Sequence, residues 1–222
     1  MEKLGRKLRI GPTDNTSYER TPRENLRIIP PAARDSFLPY SRVQPGIRLG
    51  ENDLTRLAPD LPRADGDAIE MSGQILDDTG QPLRHALVEI WNANKYGKYA
   101  HDLDGYSAPL DPNFIGLGRM LTDEEGRYKF WTIDPGCYLA RPDINRWRPK
   151  HIHLSIRGGA SRLITQMYFK DAEHNDTDPM RIVMGDDFHL NIGKQYETPN
   201  IDVERGYKFD IVIRGKDSTF FE

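Results

Sequence analysis

The chain has 222 residues, and its 31 Lys and Arg against 34 Asp and Glu give a formal net charge of -3 at pH 7. This length suits one domain with a well-buried core, and the near balance of charge leaves no broad positive surface for nucleic acid. No apolar run approaches the roughly 18 residues that span a bilayer, and no secretory leader is evident. With the single cysteine, Cys137, excluding an intramolecular disulfide, we predict a soluble cytoplasmic protein without a membrane partner.

The first 65 residues differ in composition from the rest of the chain. They are rich in Pro, Arg and Asp, as in IIPPAAR and LAPDLPR, and show little apolar periodicity. We predict an extended arm over residues 1–65, anchored on the body or on a neighbouring subunit by Phe37, Leu38, Tyr40 and Leu54. Residues 66–222 are predicted to form one domain.

Short β-rich segments follow one another through that domain. They are AIEMSGQIL, HALVEIWNA, GRYKFWTI, KHIHLSIR, RLITQMYF and YKFDIVIR, separated by turn sequences such as DDTG, DEEG and RGG. No long stretch with a 3.6-residue period lies between them, as a parallel βαβ design would require. The pattern predicts an all-β fold, a mostly antiparallel β-sandwich with little helix.

Two histidines stand two residues apart in the segment RPKHIHLSI. Because successive side chains of a strand point to opposite faces, His151 and His153 share one face, and Ile152, Leu154 and Ile156 share the other. Two neutral imidazoles projecting together are half of a transition-metal site. Taken alone, the pair is more typical of the polar outer face of a sheet.

Two tyrosines lie at loop edges. Tyr106 is within DLDGYSAPLDPNF, and Tyr138 follows Pro135, Gly136 and Cys137. Each is a candidate ligand or, alternatively, a tyrosine that caps the sheet with its hydroxyl on a backbone carbonyl. The tyrosines predicted to be structural are Tyr96, Tyr99, Tyr128, Tyr168 and Tyr207.

These motifs occur together in a known order. The run LVEIWNANKYGKYAHDLDGYSAPLDPNFIGLGRMLTDEEGRYKFWTIDPGCY, followed by WRPKHIHLSI, LITQMYF and FDIVIRG, closely resembles the intradiol ring-cleavage dioxygenases. The resemblance covers about Asp53 to Glu222 and is closest to the protocatechuate branch. It implies an enzyme that uses O2 to open the ring of protocatechuate or a related substituted catechol between its hydroxylated carbons. It also implies one Fe(3+) per catalytic chain, with Tyr106, Tyr138, His151 and His153 as ligands.

The resemblance implies roles for further residues. Tyr138 is expected to be catalytic, taking a substrate proton as it leaves the iron, while Tyr106 stays bound. Arg148 and Gln166 are expected to be catalytic residues that contact the substrate, with Arg148 stabilising developing negative charge. The alternative for Arg148 is a solvated surface arginine. The expected partners are the catechol, O2, and either a homologous α-type chain or further copies of this chain.

Substrate choice is expected to depend on the segment after Tyr138. In the protocatechuate branch, the second residue after this tyrosine is commonly tryptophan, whereas here it is Ala140. We predict that Ala140 leaves room for a bulkier catechol and that Arg141 pairs with an anionic substituent.

Two other classes of protein stay open at this point. One is a zinc hydrolase that uses His151 and His153 with a third nitrogen or carboxylate ligand. The other is an iron-free subunit of a dioxygenase assembly or a transthyretin-like binding module. The acidic segment DAEHNDTDP, residues 171–179, is interpreted as a solvated turn because it lacks the ligand register of a calcium loop.

Overall fold

The computed structural model describes residues 46–101, 104–158, 162–214 and 218–220. The strands in these ranges are β1 Ala68–Leu76, β2 Leu87–Trp91, β3 Leu117–Leu121, β4 Arg127–Ile133, β5 Tyr138–Arg141, β6 Arg146–Arg148, β7 His151–Arg157, β8 Arg162–Phe169, β9 Ile192–Tyr196, β10 Arg205–Lys208 and β11 Ile211–Val212. The helix α1 spans Pro179–Met184, and short 3-10 turns cover Pro142–Ile144, Asn175–Thr177 and Gly185–Asn191. The expectation of an all-β fold with little helix is confirmed.

Within the described residues, one sheet has the order β11-β1-β10-β9-β8-β7-β2-β3, with β4 on the other side of β1. Most neighbours are antiparallel, including β2 with β7 and β7 with β8. The exceptions are β1 with β10, β1 with β11 and β8 with β9, which are parallel. The sheet curls on itself into a nearly closed sandwich, as the mostly antiparallel pattern predicted.

The core lies between the two halves of the curled sheet. Ile69 and Met71 of β1 meet Ile152 and Leu154 of β7 in one cluster of fully buried side chains. Each such side chain contributes about 1.5–3 kcal/mol by leaving water. Because the apolar face of β7 is committed to this core, its histidine face points the opposite way, and this fixes where a site can form.

Residues 46–65, which the composition assigned to the arm, lie against this body. Leu54 is fully buried in the core, and its N–H donates to the carbonyl of Trp131 at 2.8 Å. Residues 1–45, with Phe37, Leu38 and Tyr40, lie outside the described residues. Among the described helices, none has the length and apolar character needed to cross a membrane.

A separate hairpin carries the segment after Pro135. Strands β5 and β6 pair antiparallel, with Tyr138 opposite Arg148 and a register shift between Leu139 and Arg141. The turn that joins them ends at Asn145, whose left-handed backbone (φ 49°) suits asparagine. This hairpin brings Tyr138 and Arg148 to the end of β7 that begins with His151.

One buried carboxylate links three strands on the outer face of the sheet. Glu70 in β1 accepts hydrogen bonds from the Tyr196 hydroxyl at 2.8 Å and the Trp131 indole at 3.1 Å, and it pairs with Lys129 at 3.4 Å. Burial alone would raise the pKa of Glu70, but these partners outweigh it and lower the pKa below its ordinary value. Glu70 therefore stabilises the fold as an anion.

We expect Glu70→Gln to lower the free energy of unfolding at pH 7 by about 1–3 kcal/mol, because it leaves buried donors without a charged acceptor. The pKa of Glu70 is lower in the folded than in the unfolded chain. The stability that its charge contributes is therefore fully present above the unfolded pKa and is lost as the pH falls through the folded pKa. Urea unfolding at pH 7 and at acidic pH measures this difference. The exposed Glu125→Gln is the control, and a Glu70→Gln deficit that persists unchanged at acidic pH would contradict the assignment.

Candidate active site

The two histidines of β7 face each other at short range. Their Nε2 atoms are 3.1 Å apart and both side chains are buried. Nδ1 of His151 lies 2.7 Å from the carbonyl oxygen of Pro149. Since a carbonyl can only accept, Nδ1 carries the hydrogen and Nε2 of His151 keeps its lone pair. The prediction that His151 and His153 share one face of β7 is confirmed. The Nε2 atoms of both rings are directed to the same place.

The charge state of His151 follows from its surroundings. Burial, then the positive charge of Arg148, then His153 hold the pKa of His151 well below its usual value, against a smaller opposite effect of the Pro149 hydrogen bond. The imidazole is therefore neutral at pH 7, the form that binds metals. Two ligand nitrogens about 2.1 Å from one metal ion and at a right angle are about 3 Å apart, so the observed separation fits a shared ion.

Aromatic side chains hold both imidazoles in place. Trp91, opposite His153 in the ladder between β2 and β7, stacks on it with ring centroids 4.8 Å apart. Tyr168, opposite His151 in the ladder between β7 and β8, stacks at 5.7 Å. Side chains directly opposite each other in neighbouring strands lie on the same face of the sheet. The strand pairing therefore places Trp91 beside His153 and Tyr168 beside His151.

Two tyrosines lie beside the imidazoles. The ring of Tyr138 is 5.8 Å from that of His151. The hydroxyl of Tyr99 is 3.5 Å from Nε2 of His151, and its ring is 5.4 Å from Tyr138 and 6.1 Å from His153. Tyr99, Tyr138, His151 and His153 thus form one cluster of phenols and imidazoles.

Tyr106 lies apart from this cluster. It lines the same cavity, but its ring packs edge-on against Trp147 with centroids 5.8 Å apart. The structure therefore brings together three of the four expected ligands, and Tyr99, which the sequence interpretation left as structural, lies where Tyr106 was expected. The pairing of β2 with β7 explains the position of Tyr99. Trp91, the last residue of β2, lies opposite His153, so the chain that follows Trp91 continues towards the His151 end of β7.

Close backbone packing brings the Tyr99 and Tyr138 segments together. Gly136 donates its N–H to the carbonyl of Asn94 at 2.9 Å. Gly97 has φ +79°, and a Cβ there would lie 2.0 Å from the carbonyl oxygen of Cys137. Any side chain at Gly97 would force these two segments apart.

The carboxylate of Asp104 links the backbones of Tyr99 and Tyr106. The carboxylate of Asp104 accepts from the backbone N–H groups of Tyr99 and Tyr106, both at 2.8 Å. Lys98 Nζ lies 3.5 Å from this carboxylate and donates to the carbonyl oxygen of Asp104 at 2.7 Å. Asp104 therefore sets the position of both tyrosines through their backbones.

A cavity of about 360 Å³ opens on the cluster. Its lining includes Tyr99, Tyr138 and His153, together with Tyr106, Leu139 and Ala140. Arg141, expected to meet a substituent of the substrate, is not among the lining residues. It is exposed and its guanidinium binds Asp143 through two hydrogen bonds of 2.9 and 2.8 Å. The expected pairing of Arg141 with substrate therefore lacks support, because its guanidinium is already paired with Asp143.

Arg148 is largely buried, which overturns the alternative of a solvated surface arginine. Its Nη2 donates to Gln166 Oε1 at 2.6 Å and to the Tyr168 hydroxyl at 2.8 Å, and it pairs with Asp178 at 3.0 Å. Burial acts to lower the pKa of Arg148, but Tyr168, Tyr138 and Asp178 outweigh it and raise the pKa well above its ordinary value. Arg148 thus brings a permanent positive charge to the end of the site where Tyr138 lies.

Segment 171–179 was interpreted as a solvated turn, and this was wrong for Asp178, its last acidic residue. Its side chain is fully buried. The misreading arose because the acidic composition gave no sign that Arg148, thirty residues earlier, would lie against it.

Comparison with known proteins agrees with this geometry. The model of the dioxygenase family matches residues 47–215. The protocatechuate 3,4-dioxygenase beta chain of Burkholderia cepacia is 38% identical over 217 residues, covering 96% of this chain and 92% of that protein. The alpha chain of protocatechuate 3,4-dioxygenase from Pseudomonas putida is 30% identical over 207 residues, covering 88% of this chain and 98% of that protein.

A solved structure supports the same assignment. The catechol 1,2-dioxygenase of Pseudomonas arvilla C-1 superposes with a TM-score of 0.56 at 26% identity, covering 75% of this chain and 57% of that one. The family match spans most of the chain and the identity to a beta chain extends over nearly its full length. This protein therefore belongs to the intradiol ring-cleavage dioxygenases.

Proposed function

We propose that this chain is the catalytic, iron-bearing type of intradiol dioxygenase and that it opens the ring of protocatechuate or a closely related catechol with O2. The observation that carries the proposal is the pair of buried imidazoles with Nε2 atoms 3.1 Å apart and two phenols beside them. Phenolate oxygens are hard anionic donors that favour the ferric state, and imidazole suits iron. The donor set therefore fits Fe(3+), one per chain.

We propose Tyr99, Tyr138, His151 and His153 as the iron ligands. The 3.5 Å contact between the Tyr99 hydroxyl and Nε2 of His151 favours Tyr99 over Tyr106. Tyr106, with its ring on Trp147, is proposed to form a wall of the substrate cavity. This modifies the ligand set implied by the sequence resemblance at one position.

Bound iron(III) would supply a Lewis-acidic centre that binds the two oxygens of a catechol and activates its ring towards O2. Deprotonation of the catechol needs a base within reach, and the Tyr138 phenolate at the cavity wall is proposed to accept one proton. Arg148, opposite Tyr138 in the β5–β6 ladder, favours negative charge at this end of the site. Trp91 and Leu139 line the cavity and give the ring apolar surface to contact.

The substrate class rests on relatives and on the cavity. Protocatechuate is the leading substrate because the protein with 38% identity is named a protocatechuate 3,4-dioxygenase beta chain. Ala140 lies on the cavity wall at the register shift of the hairpin, so it leaves room beside the ring for a larger substituent. A homologous α-type chain or further copies of this chain are proposed as partners. A cytoplasmic location is likewise proposed, from the single cysteine.

The zinc alternative requires a third nitrogen or carboxylate ligand. In the part of the chain that the structure describes, no group of three or more His, Cys, Asp or Glu side chains could hold a metal. A metal on the two imidazoles there would draw on the tyrosines, which favours the ferric proposal.

Oxygen uptake tests the proposed activity. We expect the iron-loaded protein to consume O2 in equimolar amount with protocatechuate and to form a ring-opened tricarboxylic acid, heavier than the substrate by one O2, identified by mass. His153→Gln should abolish uptake because it removes a proposed ligand, whereas the exposed His189→Gln should leave it unchanged. Hydrolytic activity with zinc and no O2 uptake would support the hydrolase, and no activity with either metal would support a non-catalytic subunit.

The two tyrosines can be separated by matched variants. We expect Tyr99→Phe to lower kcat by at least about 100-fold and to weaken iron retention, because it removes a ligand oxygen. Tyr106→Phe should retain about one iron per chain and most of kcat, since only its hydroxyl is lost from a wall position. Iron analysis after dialysis against a chelator, with steady-state kinetics, measures both. The reverse result would return the ligand role to Tyr106.

The role of Ala140 can be tested by filling the space beside it. We expect Ala140→Trp to lower kcat/KM for 4-tert-butylcatechol relative to unsubstituted catechol by about 10-fold or more, because the indole would occupy the room for the substituent. Unsubstituted catechol serves as the control within the same variant. An unchanged ratio of kcat/KM would show that Ala140 does not limit substrate size.

A further inference from the structure

The acidic residue at the end of segment 171–179 has no role in the activity described so far. Asp178 is fully buried although it is a carboxylate, and such burial is costly unless the charge is compensated. Its Oδ2 accepts from Arg148 Nη2 at 3.0 Å, and its Oδ1 lies 3.3 Å from Arg148 Nε. The same Oδ1 accepts the backbone N–H of Met180 at 3.2 Å, which caps α1. Asp178 thus fixes the guanidinium of Arg148 from one side.

The same guanidinium also holds a glutamine. Arg148 Nη2 donates to Gln166 Oε1 at 2.6 Å, and the hydroxyl of Tyr168 donates to the same oxygen at 2.7 Å. With two donors on Oε1, the amide of Gln166 has one favourable orientation. Its Nε2 is buried and has no hydrogen-bond partner among the described residues. The network therefore leaves one amide donor available to a ligand.

That donor lies on the metal side of the sheet. Gln166 is directly opposite His153, and Tyr168 is directly opposite His151, in the ladder between β7 and β8. Residues opposite each other in neighbouring antiparallel strands share a face. The four side chains therefore occupy one patch, with the proposed ligands on β7 and the orienting pair on β8.

We propose that Asp178 is a positioning residue for ring cleavage, acting through Arg148 to hold the Gln166 amide donor towards the substrate and to offset the guanidinium charge beside the site. Tyr168 is the second positioning residue in this network, since its hydroxyl also orients Gln166. A salt bridge that only capped α1 would leave the reaction and the electronic properties of the site unchanged. The proposal rests on the proposed function.

A double-mutant cycle tests whether Asp178 acts through Arg148. The variants are Asp178→Asn, Arg148→Gln and the double variant, with the exposed Asp176→Asn of the same turn as control. We expect Asp178→Asn to keep about one iron per chain and to lower kcat by roughly 10–100-fold with a smaller change in KM. In the Arg148→Gln background, the same substitution should change kcat by less than about 3-fold.

The visible spectrum supplies a readout that a purely structural role would not move. Removing the Asp178 charge leaves the Arg148 cation uncompensated beside Tyr138, where it stabilises the phenolate that gives up the electron. The tyrosinate-to-iron(III) band of Asp178→Asn should therefore shift to shorter wavelength. Asp176→Asn should not shift it. Urea unfolding of the metal-free proteins reports any general loss of stability separately. An unshifted band with unchanged kcat, or effects of the two substitutions on kcat that simply multiply, would overturn the proposal.

If Asp178→Asn does not fold, Tyr168→Phe keeps the inference testable. It removes only the hydroxyl that donates to Gln166 Oε1 and keeps the ring on His151. We expect kcat to fall about 10-fold at full iron content, and an unchanged kcat would overturn the proposal. A wild-type protein that binds no iron or consumes no O2 would instead overturn the proposed function, so the two failures are distinguishable.

Discussion

The site depends on one hydrogen bond, from Nδ1 of His151 to the carbonyl oxygen of Pro149. It fixes the tautomer, so that Nε2 keeps a lone pair beside Nε2 of His153, 3.1 Å away. Burial and the charge of Arg148 keep the ring neutral. A protonated His151 would offer hydrogen to the same point and would repel a metal ion. The phenols, the cavity and the arginine network are all arranged around these two ring nitrogens.

The apolar side of β7 makes this arrangement rigid. Ile152, Leu154 and Ile156 are buried in the core, so β7 cannot slip by one residue without turning its histidines into the apolar interior. Tyr99 comes from a loop and Tyr138 from the start of β5, outside the main sheet. Close backbone packing positions these two phenols relative to each other. Gly97 and Gly136 let two backbones touch, which brings Tyr99 to Tyr138. The centre is therefore positioned by a strand on one side and by glycine contacts on the other.

Much of the fold and of the candidate site could be predicted from the sequence. Alternation within β7 predicted the histidine face, because that property is local to one strand, and the family resemblance indicated Tyr138, Arg148 and Gln166. The position of Tyr99 beside the imidazoles was not predicted, because it depends on how the Tyr99 and Tyr138 segments pack, which no local pattern reports. Asp178 was misread for the same reason: acidic composition suggested solvent, whereas its partner Arg148 comes from a hairpin far away in sequence.

The central claim is that two phenols and two imidazoles form one ferric centre. The most direct measurement is the visible absorption spectrum of the iron-loaded protein, recorded before and after anaerobic addition of protocatechuate, with metal analysis on the same sample. We expect a broad tyrosinate-to-iron(III) band at about one iron per chain, and a shift of that band when the catechol binds. A protein that stays colourless and iron-free after ferrous loading and exposure to air would contradict it.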